Sequence, residues 1–126
     1  MNQSAATVEP TEDLLRRLTA GEERSLLEVL ALTPESAGSC SAAAAALPPS
    51  VRMLVRLAAL VALDASTASL RWAVELASCA GADEDQIAGV LVNVGPEVGL
   101  PCVVSAAPRL ALAIGYEIEV EDWDGT

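Results

Sequence analysis

Histidine and lysine are absent from the 126 residues, and only three residues are aromatic: Trp72, Trp123 and Tyr116. Each absence removes a class of chemistry. Without imidazole there is no ready proton carrier near neutral pH and no nitrogen ligand for zinc. Without lysine there is no amine for a Schiff base. Cysteine is scarce as well: Cys40, Cys79 and Cys102 are odd in number, far apart, and form no Cys-x-x-Cys pair. That spacing argues against a disulfide framework or a thiolate metal site and fits a reducing cytoplasm. No metal and no cofactor are expected. With so few rings, the core has to be built from Leu, Val and Ala.

Positive charge is also in short supply. Seven arginines stand against 18 acids, for a formal net charge of −11. A basic footprint for nucleic acid is missing, and an anionic membrane surface would repel the chain. Residues Met1–Pro10 carry neither a basic residue nor an apolar run, so no secretory leader is expected there. The most apolar stretch, Val51–Leu63, is 13 residues long and includes Arg52 and Arg56, which is too short and too charged for a membrane span. What the chain does have is apolar residues, 52% of the total, with a mean hydropathy of +0.42. One small core cannot hide that much, and self-association is the usual outlet.

Punctuation and periodicity predict an all-α fold of about six helices in an antiparallel bundle. Residues 1–10 read as a disordered lead. Residues 11–47 read as an N-terminal helical layer, in which Thr11 caps a helix closed by Gly21 and a second helix spans Glu22–Leu32. A loop over Ser36–Ser41 and a short helical run over Ala42–Ala46 follow. Pro48-Pro49-Ser50 then opens a core region, 48–115. Its first helix, Pro49–Asp64, is apolar around its whole circumference except for Arg52 and Arg56, which predicts a buried helix. The next, about 67–80, starts at Ser66 or Thr67 and ends at Gly81. It carries two apolar faces: Leu70, Ala73, Val74 and Ala77 on one, and Trp72, Leu76 and Cys79 nearly opposite. The first face is assigned to the core and the second to a subunit interface. Asp83 caps a further helix with Ile87, Val90, Leu91 and Val94 in phase, stopped by Gly95-Pro96. The last helix starts at Gly99-Leu100-Pro101, is kinked or split by Pro108, and ends at Gly115. Residues 116–126 form an acidic tail that either docks onto the chain's own oligomer or, through Trp123 as an anchor, engages a protein partner.

In the region Pro49–Gly115 the chain resembles the carboxymuconolactone decarboxylase and alkylhydroperoxidase-like family. The resemblance is carried by Val51-Arg52-Met53-Leu54-Val55-Arg56-Leu57-Ala58-Ala59-Leu60, by Leu70-Arg71 opening a helix, by Ala80-Gly81-Ala82-Asp83-Glu84-Asp85-Gln86-Ile87, and by Val98-Gly99-Leu100-Pro101. It implies an all-helical, alkylhydroperoxidase-like subunit assembled into trimers or hexamers. The chemistry it implies is missing here. The peroxidase branch carries Glu, then Cys-x-x-Cys and His, and this chain has no cysteine pair. The decarboxylase branch places a histidine where the resemblance puts Ala73, and an aromatic where this chain has Glu97.

Other groups are the remaining candidates. Arg71 and Glu75 sit four apart, spaced either for an exposed ion pair or to hold a carboxylate or steer a proton, and Glu97 lies beside a helix start. Arg52 and Arg56 are candidates for a buried ion pair or an anion site. The reading that follows is a non-catalytic, oligomeric member of this family, with itself as partner, serving assembly or small-ligand binding. The alternative is an enzyme of the same family, a lyase on a lactone or keto acid or a weak thiol peroxidase, using Glu75, Glu97, Arg71 or a lone cysteine.

Overall fold

The structure is a computed structural model that describes residues 2–31 and 46–116, with side chains from residue 11 onward in the first stretch. The described residues form six helices and no strand. The chain divides into two compact units, with the break after Ala46. The sequence readings for residues 32–45 and for the tail from Glu117, including Cys40 and Trp123, lie outside the described residues.

The first unit contains α1 (Asn2–Thr19) and α2 (Glu23–Leu30). α1 runs through the residues read as a lead and through Thr11, which is therefore an interior residue and not a cap. Gly21 closes it at φ +72°, where an L side chain would be strained. The amides of Gly21 and Glu22 bond back to the carbonyls of Leu18 and Arg17, a two-bond helix end that satisfies carbonyls the helix leaves orphaned. Arg17 reaches Asp13 at 2.9 Å and Glu22 at 3.8 Å, linking α1 to the start of α2.

The second unit holds α3 (Pro49–Ala62), α4 (Thr67–Cys79), α5 (Glu84–Val98) and α6 (Leu100–Ile114). One core joins all four: Leu57 and Val61 from α3, Leu70 and Ala77 from α4, Ile87 from α5, and Ala106 and Leu110 from α6. Leu57, Val61, Leu70 and Ile87 are fully buried, each worth about 1.5–3 kcal/mol relative to exposure. No aromatic residue takes part among the described core residues, and buried alanines on α4 and α6 let the helix backbones approach closely.

Local chemistry explains the boundaries. Ser66 caps α4 by accepting the Ser69 amide at 3.2 Å. Asp83 caps α5 in a reciprocal box, accepting the Gln86 amide at 2.8 Å while the Gln86 side chain accepts the Asp83 amide at 3.0 Å. Gly81 and Gly115 end α4 and α6 at positive φ, as expected.

Three further expectations need correction. α3 is not buried all round: Met53, Leu57 and Val61 form its buried stripe, while Val51 and Val55 are exposed and Arg52 and Arg56 are half-buried. Gly95-Pro96 does not stop α5, which continues to Val98 and ends at Gly99, φ +91°. Pro108 does not split α6, which is one helix over Leu100–Ile114. Each proline removes an amide donor and crowds the carbonyl four residues before it, yet both helices continue through it. At Gly95 α5 runs beside α6, and an added Cβ would make an ordinary contact with Val103 Cγ2 at 3.4 Å.

Candidate functional site

α4 presents its two faces as the sequence divides them. Leu70, Ala73, Val74 and Ala77 are buried. Trp72 is 51% exposed, Leu76 is half-buried and Cys79 is exposed. A half-exposed indole leaves a large apolar area wet. Beside it lies a hollow of about 190 Å³ lined by Met53, Arg56, Ala59, Leu60, Trp72, Ala73 and Leu76. Ala73 contributes its methyl group, and Arg56 is the one ionisable side chain in the wall.

A second, more open groove of about 530 Å³ runs between α3 and α5. Val51, Leu54, Val55 and Ala58 recur at helical spacing on one wall, and Val90 and Val94 on the other. Gln86, Asn93 and Glu97 supply polar atoms. Asn93 already donates to the Gly89 carbonyl at 2.8 Å.

The candidate catalytic residues are not gathered together. Glu97 lines the α3–α5 groove, whereas Arg71 and Glu75 stand exposed on α4 and line neither hollow. Arg71 and Glu75 do not pair with each other; among the described residues neither makes an ion pair or a hydrogen bond through its side chain. Arg56 joins the hollow at Trp72, and Arg52 does not. Cys79 and Cys102 are both free thiols on different helices. Cys102 donates to the Val61 carbonyl at 3.4 Å, a structural contact between α6 and α3. No group of three or more metal-ligating side chains occurs among the described residues, and no helix among them is long and apolar enough to cross a membrane.

Sequence reasoning missed Arg109. Its Nη1 donates to the Ala65 carbonyl at 2.5 Å, and its Nη2 donates to Asp64 Oδ1 at 2.7 Å. Asp64 is the only non-glycine described residue at positive φ, +57°. Arg109 therefore clamps the α3–α4 corner from α6, at its least comfortable backbone position. The signal was present, since Arg109 is the single charge between Val98 and Gly115. A second missed tie joins Tyr116, just past α6, to the start of α5: its hydroxyl donates to Glu84 Oε1 at 2.6 Å. That hydrogen bond, and then the charge of Glu84, raise the phenol above its ordinary value of 10.0.

No known family, curated protein or solved structure matches the chain.

Proposed function

We propose that this chain is a non-catalytic, self-associating helical protein built on a carboxymuconolactone decarboxylase-like framework, an antiparallel bundle. It serves assembly or the binding of a small organic ligand in the cytoplasm. The observation that supports this most is the hollow at Ala73. Among the described residues its wall is apolar apart from Arg56 and offers no acid, thiol or hydroxyl to move a proton or attack a substrate. The groups that would have to substitute are dispersed: Glu97 in the α3–α5 groove, and Arg71 and Glu75 out on the surface of α4. General acid–base catalysis needs its groups within about 2.6–3.2 Å of the reacting proton, directly or through one water. The exposed Trp72 on the same helix as Arg71 and Glu75, neither of which forms an ion pair among the described residues, supports self-association, by the family resemblance as a trimer or hexamer.

The test is turnover. Purified protein is incubated with an organic hydroperoxide and a dithiol donor, and separately with a γ-lactone carboxylate. The expected result is consumption no faster than with denatured protein, and no selective sulfenylation of Cys40, Cys79 or Cys102. Sustained turnover in either assay that is lost on replacing Glu97 or a cysteine would overturn the reading in favour of the enzyme.

A further inference from the structure

Around α4, at about 100° per residue, Arg71, Glu75, Cys79, Trp72 and Leu76 follow one another across an arc of about 140°. Arg71, Glu75, Cys79 and Trp72 are exposed and Leu76 is half-buried, so one helix face bears a cation, an anion and an unburied indole. The spacing of Arg71 and Glu75 normally allows an intrahelical pair. Here neither side chain has a partner of any kind among the described residues.

We propose that this face is a two-fold contact in which α4 packs antiparallel against α4 of a second copy of the chain, Arg71 meeting the partner subunit's Glu75 and Glu75 meeting the partner subunit's Arg71. The inference rests on the self-association proposed above and adds its geometry. A two-fold contact is isologous, so every residue must find its complement within the same patch. For antiparallel helices crossing at the level of Ala73, residues equidistant from it face each other, and 71 and 75 are each two positions away. Both charge pairs then form at once. A parallel arrangement would instead set Arg71 against Arg71 and Glu75 against Glu75. The charge pattern therefore selects the antiparallel one, because like charges juxtaposed across an interface are strongly disfavoured. The apolar part of the patch agrees. Trp72 projects beside a hollow of about 190 Å³ whose wall includes Met53, Leu60 and Leu76, which gives an apolar side chain from the facing helix a place to seat. A two-fold contact generates dimers, or hexamers as paired trimers, and never an isolated trimer.

The experiment uses two single variants, Arg71→Glu and Glu75→Arg, and the double variant Arg71→Glu/Glu75→Arg. Mass is measured by sedimentation at about 0.15 M salt, where the Debye length of about 8 Å screens the overall negative charge more than contact pairs. The wild type and the double variant are expected to associate alike. Each single variant is expected to associate about tenfold more weakly or worse, since both of its cross-pairs become like-charged. Mixing the two single variants is expected to restore association: one chain then presents two acids at these positions and the other two arginines. An intrachain pair cannot produce that rescue. Circular dichroism of each variant separates dissociation from unfolding, and where a charge-reversed variant fails to fold, Arg71→Gln and Glu75→Gln take its place: weaker association supports the contact and wild-type-like association overturns it. A wild type that is monomeric at micromolar concentration overturns both the self-association and this contact. A wild type that associates while the single variants match it, or a mixture that stays dissociated, overturns the α4 contact alone, as does a wild type that is purely trimeric.

Discussion

At the scale of single residues, Arg109 ties α6 to the α3–α4 corner. Its guanidinium caps the Ala65 carbonyl and pairs with Asp64, and its side chain is 22% exposed against 74% for Asp64. The two ends of this contact should therefore behave differently. Arg109→Ala strips a charged donor from a partly shielded carbonyl and is expected to cost about 1–3 kcal/mol. Asp64→Gly loses only an exposed ion pair, worth about 0–1 kcal/mol, and relieves a left-handed residue, so it should lie within about 0.5 kcal/mol of wild type. Urea unfolding of the two variants checks the contrast; equal effects would mean that the ion pair, and not the carbonyl bond, carries the clamp. Tyr116 offers a spectroscopic test because it is the sole tyrosine. Its raised phenol pKa means that the neutral, donating form is favoured by folding. The tie to Glu84 is fully present below pH 10.0 and is lost as pH rises through the raised value. Titrated by phenolate absorbance, the midpoint should lie above 10.0 and fall back toward it in Glu84→Ala.

At the scale of helices, the ends were legible and the interiors less so. Ser66, Asp83, Gly81 and Gly115 act in the sequence through their own local hydrogen bonds or φ angles, and these need no knowledge of the rest of the chain. Pro96 and Pro108 mislead for the opposite reason: whether a helix survives a proline depends on what packs against the turns on either side. The all-apolar circumference of α3 misleads similarly, because composition cannot say which arc meets the core, and the α3–α5 groove went unseen for the same reason. Two glycines separate local from tertiary demands. Gly81 sits at φ +108°, so Gly81→Ala should cost about 1 kcal/mol or more. Gly89 lies inside α5 with only Asn93 Nδ2 at 4.0 Å from an added Cβ. Gly89→Ala should therefore stabilise by about 0.5–1 kcal/mol through helix propensity. Thermal unfolding of both is the check, and a destabilised Gly89→Ala would mean that groove space at that position is occupied.

At the scale of the molecule, the all-helical class and the two faces of α4 could be read from periodicity. The dispersal of the candidate catalytic groups could not, since Glu75 and Glu97 belong to different helices and only packing decides whether they share a cavity. Arg71 and Glu75 illustrate the limit most directly: their spacing allows an ion pair, yet among the described residues neither side chain makes one. If the Trp72 face joins subunits, Trp72→Glu with Leu76→Glu inserts two carboxylates where burial without a partner is costly. The expected outcome is dissociation to smaller species in sedimentation with helical content largely kept. Loss of helicity instead would place Trp72 in the support of the fold itself.

Gly99 has a wider consequence than ending one helix. It alone connects α5 to α6, so the two helices share a single-residue joint. Gly99 is held at φ +91° in a non-helical joint with no spare residue, so one residue added or removed there must displace α6 or open the turns on either side. Either change carries Ala106 and Leu110 away from the core and swings Arg109 off the α3–α4 corner. Loop-length variation, which most helical proteins tolerate freely, is closed to this chain at that junction.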